Sequence, residues 1–264
     1  MTIIEIDTNL ICEMTDKGER LDRRNFEEYR NVQVEQGFVS SAEGSARVRL
    51  GGTEVVAGVK MDVGEPFPDT PDEGVLMVAT EFVPLASPDF EAGPPREEAI
   101  EVSRVVDRAI RESKALDMKK LCLTPGEKVW MIYIDIDVLD NDGNLIDAAG
   151  IAAAAALLDA RIPELENDKP VYTEKGYHKL QLNGIPLSAT VAKVSNRMLV
   201  DPSFAEEMAA HARLTIGSVD RDNQVHLCSM QKGGPGGFSQ KEIEEVIDIA
   251  LRKAEEIRDM LKKL

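Results

Sequence analysis

The sequence is poor in cysteine, in positive charge and in long apolar runs, and each shortage excludes something. Its three cysteines, Cys12, Cys122 and Cys228, lie far apart with no C-x-x-C pair. Neither a disulfide framework nor a cysteine-rich zinc site can be built from them, and a reducing, cytoplasmic location is expected. No apolar run approaches the ~18 residues of a membrane span, and the opening Met1 to Asp7 lacks the basic stretch and apolar core of a secretory signal. A soluble, untargeted chain with no membrane partner is expected. Lys and Arg number 31 against 48 Asp and Glu, a formal net charge of −17. That surplus repels polyanions, which argues against nucleic acid as a partner of the isolated chain.

What is present fits an α/β protein. At 264 residues, 43% hydrophobic and 30% charged, the chain is long enough for one large domain or for two small ones sharing a core. Residues 1–30 are charged and are expected to form a surface arm or a short helix. From Val32 the period becomes two: Val32 and Val34, then Ala46, Val48 and Leu50, with Gly51-Gly52 as the turn of a hairpin into Val55–Val59. Val75–Val83 is a further strand, and Arg96–Lys114 an amphipathic helix. Trp130–Leu139 alternates strictly and ends at Asp142-Gly143, and alanine-rich Ala148–Leu158 predicts a deeply buried helix. Residues 166–184 are the linker candidate, dividing a first domain (31–165) from a second (185–264). The second repeats the grammar: strands near Ile185–Val194 and Met198–Val200, a hairpin turning at Asp220–Asn223, and a long final helix opened by the capping pair Ser239 and Glu242.

Residue patterns alone yield no convincing catalytic set. Asp135, Asp137, Asp140 and Asp142-Gly143-Asn144 suggest calcium, but counting back from Gly143 puts Val138 at the first ligand position of an EF-hand loop. The solvent side of a strand is the simpler reading of the first two, and no metal or cofactor is expected. The glycine-rich run Lys232–Ser239 could cradle phosphate but lacks the lysine and hydroxyl of a P-loop, so a flexible connection is favoured. His178, His211 and His226 share no helix face and are expected to be surface or structural. Arg104, Arg108 and Arg111 make a basic stripe on the first long helix, although Glu101, Asp107 and Glu112 stand where ordinary ion pairs would occupy them. Asp201, Glu206 and Glu207 could act as an acidic pair, but a solvated turn is expected in so acidic a chain.

Several ordered motifs nevertheless resemble the RNase PH family. Arg20-Leu21-Asp22-Arg23-Arg24 with Arg30, then Gly44-Ser45-Ala46 and Gly52-Thr53-Glu54-Val55, match the family's opening; the likeness runs from about residue 20 to 260. It implies two βαβα halves of the ribosomal protein S5 domain 2-like type, helices packed between sheets, and assembly into hexameric rings. It also implies phosphate attack on the 3′-terminal linkage of RNA, which needs cations around phosphate and an acidic pair.

The departures from the catalytic pattern carry the expectation further. Where catalytic members place the arginine of Gly-(Thr/Ser)-Arg, this chain has Ile146 followed by Asp147, and where they carry an Arg-Arg pair at the start of the long helix it has Glu97 and Glu98. Loss of a bidentate guanidinium and gain of carboxylates is expected to abolish phosphate binding. The acidic pair keeps Asp201 but has Glu207 in second place. The chain thus resembles the non-catalytic RNase PH-type ring subunits of the archaeal exosome. That resemblance implies a ring of three heterodimers with a catalytic RNase PH-type subunit, RNA-binding cap subunits, and a role for Arg104 and Arg108 in holding RNA within the assembled ring. A catalytically active phosphorolytic 3′–5′ exoribonuclease is the alternative, and a small-molecule enzyme with coincidental motifs a third reading.

Overall fold

A computed structural model describes residues 7–166, 169–171 and 178–264. Residues 1–6 of the expected arm, and 167–168 and 172–177 of the expected linker, lie outside the described residues.

In chain order the elements are α1 (Thr8–Asp16), β1 (Val32–Gln36), β2 (Gly44–Leu50), β3 (Thr53–Gly64), β4 (Val75–Phe82), α2 (Glu97–Ser113), β5 (Cys122–Thr124), β6 (Lys128–Asp140), α3 (Leu145–Asp159), β7 (Arg161–Ile162), β8 (Glu164–Glu166), β9 (Lys169–Val171), β10 (His178–Lys179), β11 (Pro186–Val194), β12 (Arg197–Val200), α4 (Phe204–Ala209), β13 (Ala212–Arg221), β14 (Gln224–Gly233) and α5 (Gln240–Leu261). The first sheet runs β1-β2-β3-β6-β4, with β5 also on β6, and the second runs β12-β11-β13-β14. Only the β4–β6 pair is parallel within them, and α2 supplies the crossover that a parallel pair requires. Around the expected linker, β8 pairs with β9 and β7 with β10.

Alternation decides which face of each strand is buried. In β6, Val129, Ile132, Ile134, Ile136 and Val138 are buried, while Asp135 is exposed and Asp137 only partly covered. Strand β11 is buried on both faces, because α3 covers one and α5 the other. Thr190 bonds to Asp147 of α3, whereas Ala189 and Val191 pack with Val246, Ile249 and Ala250 of α5. The layers are therefore sheet, α2 with α3, sheet, α5. Helices α2 and α3 lie between the sheets as the resemblance implies. Helix α5 does not: it covers the outer face of the second sheet, because its apolar stripe matches the odd-numbered side of β11.

The small residues of α3 set how closely these layers approach. Ala148, Ala149 and Ala152–Ala156 are all essentially inaccessible. Across from them, a Cβ on Gly44 would stand 2.4 Å from the Ala156 carbonyl oxygen and 2.5 Å from Ala160. Alanine facing glycine lets a helix lie against a sheet at this separation, and the methyl-lined contact joins a core that continues through Leu187, Ala254, Ile257 and Leu261 of the second half.

Candidate functional site

Two loops, β6–α3 and β12–α4, meet beneath the first turn of α2 and enclose a cleft of about 350 Å³. The charged arm explains how they are held. Two of its arginines are buried: the Arg20 and Arg30 side chains are 0% and 7% exposed. Arg20 grips Glu206 with Nε to Oε1 at 2.8 Å and Nη2 to Oε2 at 2.6 Å, and also donates to the carbonyls of Val200 and Asp201. Arg30 grips Asp201 and reaches the Asp142 carbonyl at 2.6 Å. Arg24 adds a second cation to the Asp201 carboxylate at 3.0 Å. Glu206 also accepts from the Ser203 amide in the capping box of α4. A surface arm or a short helix is expected for residues 1–30; α1 is such a helix, but Arg20 and Arg30 are drawn inward, and the solvated turn expected for Asp201 and Glu206 is corrected, since these are 0% and 2% exposed. Buried charges survive only when their hydrogen-bonding capacity is filled, and here the partners come from opposite ends of the chain.

At the floor of the cleft, Gly143 and Asn144 both have positive φ, 84° and 55°, and turn the chain sharply into α3. A Cβ on Gly143 would meet the Phe204 amide at 2.5 Å, so the turn needs glycine for space as well as conformation. Beyond it Ile146 lines the cleft, at the position where the resemblance puts an arginine in catalytic members. Asp147 does not. Its carboxylate is fully buried on the far side of the helix and accepts four hydrogen bonds: Tyr29 hydroxyl at 2.6 Å, Asn144 Nδ2 at 2.9 Å, Thr190 amide at 2.9 Å and Thr190 hydroxyl at 2.7 Å. The expected repulsion of phosphate by Asp147 is therefore corrected: residue 147 on α3 faces the second sheet, and its acid serves the join between the two halves. Burial pushes this carboxyl up to about 6 even though every one of these hydrogen bonds favours the charged form.

Glu207 supplies the carboxylate that does face the cleft. Its Oε1 accepts from the Asn144 backbone amide at 2.9 Å, at the N-terminus of α3. A helix N-terminus is where an anion is stabilised, and here the chain's own carboxylate takes the amide. Burial pushes Glu207 up to about 7, against the pull of that amide and of Arg213 and Arg30. Glu98 and Glu101 also line the cleft, and its one guanidinium, Arg213, is held by Glu101 at 2.5 Å. Glu97 and Glu98 open α2 and border a larger hollow of about 810 Å³ beside the stacked rings of Phe82 and Phe90, 4.6 Å apart.

The basic stripe of α2 separates into two kinds of residue. Arg111 pairs with Asp107 at 2.7 Å, as helical spacing suggests. Arg104 makes no ion pair or hydrogen bond among the described residues and is exposed, because Glu101 turns instead to Arg213 and Gln231. Arg108 donates to Gln231 at 2.6 Å, while its Nε is buried without a partner. Arg104, Arg108 and Gln231 share a shallow hollow of about 350 Å³ with Glu97 and Glu101. The glycine-rich loop has a structural account: Gly236 donates to the His211 carbonyl at 2.7 Å, and a Cβ on Gly234 or Gly236 would stand 2.8 Å from that oxygen. In the sequence Asn144 stands out only as part of a calcium candidate, and Arg213 and Gln231 do not stand out as site residues, because nothing in the order of the residues marks that Asn144 and Arg213 share a cleft or that Gln231 meets Arg108 in the neighbouring hollow.

Comparison with known proteins agrees with this geometry. The model of the 3′ exoribonuclease (RNase PH) family, domain 1, matches residues 28–163, and that of domain 2 matches residues 184–253. The chain belongs to the RNase PH family of 3′ exoribonucleases. Within that family it is similar to the exosome complex component Rrp42 of Thermococcus gammatolerans, with 47% identity over 95% of this chain and 92% of that protein. The Rrp42 component of Methanothermobacter thermautotrophicus is 44% identical over 99% and 96% of the two chains. Among solved structures, a chain of the Archaeoglobus fulgidus exosome with RNA bound to the active site superposes with a TM-score of 0.87 at 42% identity, over 96% of both chains. A chain of an archaeal exosome core gives 0.85 at 39% identity, over 97% of this chain and 96% of that one.

Proposed function

We propose that this chain is a structural subunit of an RNA exosome ring, one that performs no phosphorolysis alone and completes a complex degrading RNA from 3′ to 5′. The observation that carries the reading is Glu207. A carboxylate on the amide of Asn144, the residue that caps the N-terminus of α3, with Ile146 and Glu98 in the same lining, stands where an attacking phosphate would need donors. Acyl or phosphoryl chemistry depends on preorganised positive charge, and this cleft offers one guanidinium already neutralised by Glu101.

The partner in this reading is a catalytic RNase PH-type subunit, in a ring of three heterodimers that also carries RNA-binding cap subunits. Arg104 and Arg108 are the residues assigned to RNA. Both are free of intrahelical ion pairs, so their charge is available to phosphates inside a ring even though the chain as a whole is acidic. Residues 31–165 and 185–264 are the two domains in the same reading, with 1–30 as the arm and 166–184 as the connection.

The test is direct. The purified chain, incubated with RNA and inorganic phosphate, is expected to release no nucleoside diphosphates above background, and the same chain mixed with the catalytic homologue is expected to form a larger, active assembly. Release by the chain alone would overturn the assignment in favour of an active exoribonuclease.

A further inference from the structure

The charge that α2 holds out depends on two residues of the second sheet. In the β13–β14 ladder Arg213 stands opposite Gly233 and Thr215 opposite Gln231. Residues two apart on a strand share a face, so Arg213 and Gln231 are diagonal neighbours. Gly233 leaves room for the guanidinium, since a Cβ there would stand 2.7 Å from Arg213 Nε. Both side chains reach Glu101 of α2: Arg213 Nη2 donates to Oε2 at 2.5 Å and Gln231 Nε2 to Oε1 at 2.9 Å. A carboxylate only accepts, so the amide nitrogen of Gln231 is fixed on Glu101 and its Oε1 is left to accept from Arg108 Nη2 at 2.6 Å.

Helical spacing shows what this relay prevents. The residues three and four positions from Arg104 are Ile100, Glu101, Asp107 and Arg108, so Glu101 and Asp107 are the acids within helical reach. Arg111 holds Asp107 through two hydrogen bonds, at 2.7 and 3.1 Å. Glu101 is held from the second sheet, and Arg104 is left exposed, without an ion pair among the described residues. Arg108 has Glu112 four positions on, yet its hydrogen bond goes to Gln231. An amide is neutral, so Gln231 orients the guanidinium without cancelling its charge.

We propose that Arg213 and Gln231 are positioning residues for RNA: together they hold Glu101 off Arg104, and Gln231 aims Arg108 into the hollow that it shares with Arg104. The proposal rests on the assignment of Arg104 and Arg108 to RNA. It adds the strand residues that keep both charges available in an acidic chain, although neither needs to touch RNA itself.

The test uses rings reconstituted with the catalytic homologue, checked for assembly by size-exclusion chromatography and titrated against fluorescein-labelled single-stranded RNA by anisotropy at several salt concentrations. Arg213→Gln releases Glu101 to Arg104; affinity is expected to fall about five-fold at ~0.1 M salt and the slope of log affinity against log salt by about 0.7, the value for one phosphate contact. Adding Glu101→Gln to Arg213→Gln removes the competing charge and is expected to restore both quantities, a rescue that a merely structural role would not give. Gln231→Met, close in volume but without the hydrogen bonds, is expected to weaken binding about three-fold, with no further loss in an Arg108→Ala background. Absence of the rescue, or an equal loss from Gln231→Met with and without Arg108, would overturn the proposal. So would unchanged binding by both Arg213→Gln and Gln231→Met while Arg104→Ala with Arg108→Ala weakens it, which leaves the RNA assignment standing. If Arg104→Ala with Arg108→Ala leaves binding unaltered, that assignment falls and the proposal with it.

Discussion

Arg30 and Asp201 meet through two parallel hydrogen bonds, Nε to Oδ2 at 2.9 Å and Nη2 to Oδ1 at 2.8 Å, across 171 residues of sequence. The same aspartate carries the Arg30 backbone amide at 2.8 Å and Asn144 Nδ2 at 2.8 Å. The arm, the α3 turn and the β12–α4 loop are thus tied at one carboxylate.

Removing that carboxylate leaves buried cations unpaired. Asp201→Ala is expected to destabilise the chain by about 3–5 kcal/mol, the usual cost of breaking one side of a buried pair. Urea denaturation followed by circular dichroism measures it, and a loss under 1 kcal/mol would show that the Arg24 and Arg30 side chains find water or other partners.

Asp147 gives the stability a pH dependence of unusual sign. Its folded value, about 6, lies above the ordinary 3.8, so between these values the folded chain binds more protons than the unfolded one. Its contribution is fully favourable below about pH 4 and is lost as pH rises through 6, by up to about 3 kcal/mol at 1.36 kcal/mol per pKa unit. Glu207, raised to about 7, acts in the same direction. The urea midpoint of the wild type is expected to rise on going from pH 7 to pH 5, and Asp147→Asn is expected to flatten that rise. An unchanged slope would mean that another group produces it.

In the assembled ring, Arg104→Ala with Arg108→Ala is expected to weaken RNA binding and to reduce the slope of log affinity against log salt by about 1.4, the value for two phosphate contacts on a single strand. Fluorescence anisotropy at several salt concentrations, with size-exclusion chromatography to confirm assembly, gives both quantities. The stability of the chain itself should hardly change, because Arg104 is exposed and unpaired among the described residues and Arg108 loses one bond to Gln231. An unaltered salt slope would place the RNA elsewhere.

Gly44→Ala probes the close approach of α3 to β2. The added methyl would sit 2.4 Å from the Ala156 carbonyl oxygen, a backbone atom that cannot rotate away. Overpacking of this kind costs about 1–3 kcal/mol. A shift of the thermal midpoint within error of wild type would show that α3 slides without penalty.

Much of the fold was legible in local patterns. The period-two run in β6, the Ser239 and Glu242 capping box of α5 and the turn between β13 and β14, where Asp222 and Asn223 take φ of 54° and 59°, are all set by neighbours in sequence. Ile146, Glu97 and Glu98 were legible as departures from a family pattern, and each borders a hollow in the structure. Asp147 was legible as an acid but not in its direction, because one step along a helix turns a side chain by about 100°.

Composition and spacing by themselves determined the long strands, the helices α2, α3 and α5, the alanine face of α3 and the charge of −17, since each depends on residues a few positions apart. Only the tertiary structure decided what that charge does. It buried Arg20 against Glu206 and Arg30 against Asp201, placed Glu207 on the Asn144 amide that caps α3, and left Arg104 without a partner among the described residues by turning Glu101 toward Arg213. Pairing between charges is settled by distance in space and by desolvation, and neither quantity is written in the order of the residues.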